Sequence, residues 1–107
     1  MQQFMARQGD VLIVSATIPK EAEPKARDKG RVILAYGEVT GHAHRIADPD
    51  GAGAVLLSVA ESATFLRLSK GAQLVHEEHA TINLPAGEYQ VIQQREYRYG
   101  ESVRVRD

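Results

Sequence analysis

The four histidines of this 107-residue chain fall in two tight pairs, His42 and His44 in Gly41-His-Ala-His, and His76 and His79 in His-Glu-Glu-His. Residues two apart on a β-strand point to one face, so His42 and His44 would present neighbouring imidazoles to a single ion. The second pair is spaced by three. On a regular strand His76 shares a face with Leu74, Glu78, Ile82 and Leu84, while His79 turns the other way. A bulge or one helical turn at Glu77-Glu78 would realign them. The regular strand thus offers His76, with Glu78 on its face, and the kinked one offers His79 or both.

Imidazoles with nearby carboxylates suit a divalent transition metal, zinc first, with iron, nickel, manganese and copper also accommodated. Three protein ligands and an open position make a catalytic centre; four make a closed, structural one. In the open case Glu77 or Glu78 is the candidate general base on an ion-activated water, and Arg45 the nearest cation to hold an anionic small-molecule substrate. His-Glu-Glu-His is not the zinc-protease motif, whose histidines are four apart on a helix. The opposing reading is a non-catalytic structural or partner-binding module in which the histidines pack or staple strands.

Other chemistries lack their residues. With no cysteine there is no disulfide, zinc ribbon, iron–sulfur cluster or thiol nucleophile. No serine sits in a Gly-x-Ser-x-Gly setting and no phosphate-binding P-loop occurs. Arg95 and Tyr97, in the polar run Gln93 to Tyr97, are candidate substrate contacts unless that run is a solubilised edge strand. Thirteen Lys and Arg against fourteen Asp and Glu leave a net charge of −1, which argues against a mainly electrostatic nucleic-acid or membrane binder while leaving a local basic patch open. The apolar runs are too short to span a bilayer as a helix, and the N-terminus carries no export pattern, so the expected location is the cytoplasm.

The elements that must position these residues read as strands. Val11 to Ile18, Arg31 to Tyr36, Ala54 to Ala60, Thr64 to Leu68, Ala72 to Val75, Thr81 to Leu84, Tyr89 to Gln94 and Ser102 to Arg106 are β-rich runs. Turn residues separate them at Gln8-Gly9-Asp10, Asp48-Pro49-Asp50-Gly51, Pro85-Ala86-Gly87 and Arg98 to Glu101. Pro19 to Gly30, with two prolines and many charges, reads as a flexible, solvated loop. No stretch shows helical periodicity. The expectation is an all-β single domain over residues 1–107, a small barrel or sandwich, with free edges that a homodimer would cover.

Two resemblances follow from these segments. Gly37 to His44, with His-x-His after a glycine, resembles the first cupin motif, Asp48 standing where cupins place a glutamate ligand. Pro85-Ala-Gly87 resembles part of the second, although Gln90 stands where cupins carry their last histidine; a cupin-like jelly roll with a metal centre is what this implies. Over nearly its full length the chain is similar to a family of small uncharacterised bacterial and phage proteins. Shared segments are Gln8 to Leu12, Gly37 to His44, His76 to Ala80, Leu84 to Tyr89 and Gln94 to Tyr97. That resemblance implies no activity.

Overall fold

A computed structural model describes residues 3–37, 41–47, 53–60, 63–98 and 101–104, with side chains as far as Gln94. The expected turn at Asp48 to Gly51, Asp48 itself, the tip of the Arg98–Glu101 turn, and the side chains of Arg95 and Tyr97 lie outside the described residues.

Every regular element is a strand, because the β-branched and alternating runs are too short, and too often broken by Gly and Pro, to form a helix. In chain order they are β1 (Met5–Gln8), β2 (Val11–Ser15), β3 (Glu23–Pro24), β4 (Val32–Tyr36), β5 (Ala43–Ala47) and β6 (Ala54–Val59). There follow β7 (Ala63–Leu68), β8 (Ala72–Val75), β9 (Ile82–Leu84), β10 (Gly87–Gln93), β11 (Arg95–Arg98) and β12 (Glu101–Arg104).

The strands form an antiparallel six-stranded sheet in the order β1-β2-β10-β7-β6-β3, a four-stranded sheet β4-β5-β8-β9, and the β11–β12 hairpin. The two larger sheets are separate and pack face to face. This is a sandwich, and the closed-barrel alternative does not apply. Among the described residues no helix is long and apolar enough to cross a membrane.

Alternation decides what each sheet buries. Leu56 pairs with Leu66 and Leu57 with Phe65 across β6 and β7. The first pair joins the main core with Val11, Ile13, Leu74 and Leu84, whereas the second turns to the opposite face and packs with Ile18. One sheet therefore has two apolar faces, the outer one covered by the chain leaving β2. The 19–30 segment that follows is fastened along the sheet edge. Glu23 and Pro24 pair with Ser58 and Leu57 of β6, and the Lys25 amide donates to the Leu56 carbonyl at 2.7 Å.

Two strands escaped the sequence reading, β1 and β3, while β11 falls in the polar run read as an edge strand. β1 carries no apolar alternation, being held by backbone pairing with β2 through the Gly9-Asp10 turn, where Gly9 takes φ 58°. Leu66, fully buried in a strand with neighbours on both sides, is the sharpest test of the core. Leu66→Ala is expected to cost about 2–5 kcal/mol in urea unfolding, with an unchanged m-value.

Candidate metal centre

Both histidine pairs arrive at one place. β8 ends at Val75, the chain bends through residues 77–79, and β9 begins only at Ile82, so the kinked arrangement is the one adopted. The bend brings His76 and His79 to the same cluster, their ring centroids 4.6 Å apart. His76 lies 5.6 Å from the His42 ring, edge to face, and 4.4 Å from the His44 ring. His79 stacks on His44 at 5.9 Å with an interplanar angle of 14°.

The four rings have different neighbours. His44 is fully buried: its Nδ1 lies 2.9 Å from Gln8 Oε1 and its Nε2 3.3 Å from Asp10 Oδ1. The Gln8 amide nitrogen donates to the carbonyls of Leu74 and Ala80, which fixes its oxygen toward His44. Asp10, also fully buried, accepts from Gln93 Nε2 at 2.9 Å. His44 is thus a packed ring, hydrogen-bonded through Nδ1 to Gln8 and facing Asp10 with Nε2. His42 is different. Its Nδ1 is shielded from solvent, makes no hydrogen bond, and lies 3.3 Å from Glu78 Oε2.

The donor atoms that converge among the described residues belong to His42, His76 and Glu77, all within 4.8 Å of one another. Sequence spacing pointed to His42 and His76 as ligands, but placed Glu77 among the bases. Glu77, though exposed, is held against β5 by two contacts: its Oε1 accepts from the Ala43 amide at 3.0 Å and its Oε2 from Arg45 at 2.8 Å. Arg45 also donates to the Ala43 carbonyl, so its guanidinium braces Glu77. Glu78 is the more exposed carboxylate, poised beside His42.

Local backbone makes this fit. Leu34 is the extra residue of a β-bulge, since Ile33 pairs with Arg45 and Ala35 with His44. The bulge re-aims the end of β4, and the Gly37 amide then donates to the His42 carbonyl at 2.9 Å. A Cβ at Gly37 would stand 3.1 Å from His42 Cβ and 3.4 Å from His76 Nε2, so a side chain there would press both residues aside by a few tenths of an ångström.

Asp10, Gln8 and Gln93 were missed as site-building residues. The Gln-Gly-Asp turn was legible, but that its flanking side chains point inward was not.

These features define a class: a small antiparallel β-sandwich with a histidine–carboxylate cluster at one end of its smaller sheet. The chain belongs to the family described as domain of unknown function DUF8820, whose model matches residues 7–94. No curated protein matches the chain. No solved structure matches it either, so the cupin resemblance of the two short motifs gains no support.

Burial pushes the Glu77 carboxyl up, but the Ala43 amide and its own amide outweigh this, helped by Arg45 and His42, and hold it below the usual glutamate range. A folded-state value below the unfolded one contributes stability that is present above the ordinary range and lost as pH falls through the depressed value. In metal-free protein the Ala43 amide resonance is therefore expected to stay constant from neutral pH through the ordinary glutamate range and to move only below it. Glu77→Gln is expected to abolish that movement. Gly37→Ala is expected to shift the His42 and His76 ring resonances in the same spectra, the core elsewhere being unchanged.

Proposed function

We propose that this domain binds one divalent transition-metal ion through His42, His76 and Glu77 and uses it in a small hydrolytic or lyase-type reaction. The observation that carries the reading is the convergence within 4.8 Å of ligand-type atoms from His42, just before β5, and from His76 and Glu77, just after β8, the carboxylate being oriented by Ala43 and Arg45. Metal ligands are commonly fixed in this way by outer hydrogen bonds. The donor set fits such an ion: two imidazoles, including the solvent-shielded Nδ1 of His42, which makes no hydrogen bond, and a carboxylate held ionised. Zinc suits it, as does ferrous iron.

Three protein ligands leave room for a substrate or water. A bound ion would supply Lewis acidity and a water whose pKa is drawn toward about 7. Glu78, half-exposed beside His42, is placed to take a proton there. Arg45 serves the site by holding Glu77.

One observation favours the second reading, a metal-free hydrogen-bonded cluster in a partner-binding module. The Glu78 amide donates to His76 Nδ1 at 3.0 Å, which leaves the proton of a neutral His76 on Nε2. Coordination through Nε2 requires that proton to leave, or to move to Nδ1 as the Glu78 amide turns away.

Elemental analysis of untagged protein separates the readings. About one equivalent of metal is expected in the wild type, lost in His42→Ala and in Glu77→Gln and retained in Glu78→Gln. Equal metal content in the wild type and His42→Ala would remove the proposed centre. On titrating zinc into chelator-treated protein, the Glu78 amide is expected to show one of the largest shifts.

A further inference from the structure

We infer that the cleft between the Asp28–Arg31 turn and β5 is a binding site for a phosphate-bearing ligand, independent of the metal. Lys25, Arg27, Lys29 and Arg31 occupy alternate positions of the charged segment. With Arg45 they make five of the chain's thirteen Lys and Arg, on a molecule whose net charge is −1.

The structure turns this pattern into a shaped surface. Asp28 and Arg31 form an isolated antiparallel bridge, each amide donating to the other's carbonyl at 3.0 and 2.9 Å. Lys29 and Gly30 make the two-residue turn between them, at φ 54° and 81°. A lysine held in the left-handed region costs backbone energy, a cost that concentrates at functional sites. The turn is anchored to β6, Arg27 donating to the Ala54 carbonyl at 2.8 Å.

Between this turn and β5 lies a cleft of about 410 Å³, and all its charged lining residues are cationic: Lys29, Arg31 and Arg45. Val32 and Ile46 line its apolar part. A second cavity of about 150 Å³ shares Arg31 and Val32 and adds Lys25 and Arg27. The nearby acids each take one of these cations, which leaves Lys29 as the excess charge of the cleft. Asp28 accepts from the Tyr36 hydroxyl and pairs with Arg31 at 3.6 Å, and Glu77 takes Arg45. Cations converging on a concave surface focus potential and recruit multivalent anions, and guanidinium and ammonium groups together match phosphate oxygens.

Isothermal titration of chelator-treated protein with inorganic pyrophosphate, inorganic phosphate and a short single-stranded oligonucleotide tests this. Saturable pyrophosphate binding is expected, weakened by added salt and by about fivefold or more in Lys29→Gly and Arg31→Gln. Lys29→Gly also relieves the left-handed backbone, so its loss of binding reports charge and not folding. Lys70→Ala, a cation elsewhere, is the control. Absence of saturable pyrophosphate binding overturns the proposal, as does equal weakening by Lys70→Ala. Tighter binding of the oligonucleotide than of pyrophosphate assigns the phosphates to a nucleic-acid strand, and the reverse to a small molecule. Because metal is absent throughout, failure here leaves the metal reading standing, and loss of metal binding in His42→Ala leaves this one standing.

Discussion

An ionisable side chain with no exposed surface governs how this molecule is put together. Asp10 is fully buried, and a carboxylate taken out of water costs several kcal/mol unless hydrogen bonds and an opposite charge replace its hydration. Its neighbours come from two other strands: Gln93, at the end of β10, donates to one carboxylate oxygen, and His44 Nε2 of β5 lies 3.3 Å from the other. The next residue, Gln94, returns its amide to the Asp10 carbonyl at 2.8 Å. Two positions earlier Gln8 grips the other end of His44 and both ends of the β8–β9 loop. A single tight turn, Gly9-Asp10, therefore joins the larger sheet to the smaller one by polar contacts that tolerate little slippage. Hydrophobic burial brings the two sheets together; this chain of side chains sets how they face each other.

The histidine cluster inherits its geometry from that junction. His44 cannot move without breaking its bond to Gln8, and it is the ring on which His76 and His79 lean. The packed histidine thus holds the outer ones in place, as outer hydrogen bonds hold the ligands in many metal sites. His42 lies at the start of β5, where the chain is free enough to present a nitrogen. One His-x-His pair serves two purposes, because one member falls inside the strand and the other just before it.

Much of the architecture was legible in the chain. β2, β4, β6, β7, β9 and β10 follow from β-branched alternation bounded by glycine and proline, and the all-β class follows from the lack of any helical period. β1 was hidden because an edge strand can be held by backbone pairing with little apolar signal. The convergence of the two histidine segments rested on β5 pairing with β8, a contact across about thirty residues that no local pattern encodes. Glu77 and Glu78 were interchangeable in sequence; the Ala43 amide and Arg45 distinguish them, and both lie on β5. Asp10 looked like an ordinary turn residue, since a two-residue turn is normally solvated. Burial of a turn is a tertiary property.

The metal reading and the metal-free hydrogen-bond network meet at one group, the imidazole of His76. As a backbone acceptor it closes the 77–79 bend on itself; as a ligand it must give up that bond. The exchange is local, since the bend joins two strands whose register is set elsewhere, by Leu74 against Ile82 and by Gln8 on the Leu74 and Ala80 carbonyls. Glu77 need not move for it, being latched to β5 by its own contacts. A site built this way keeps one ligand preset by the sheet, one by a salt bridge, and confines its rearrangement to a single peptide. On the metal reading proposed above, such a division would let an ion come and go without unpacking the core beneath it.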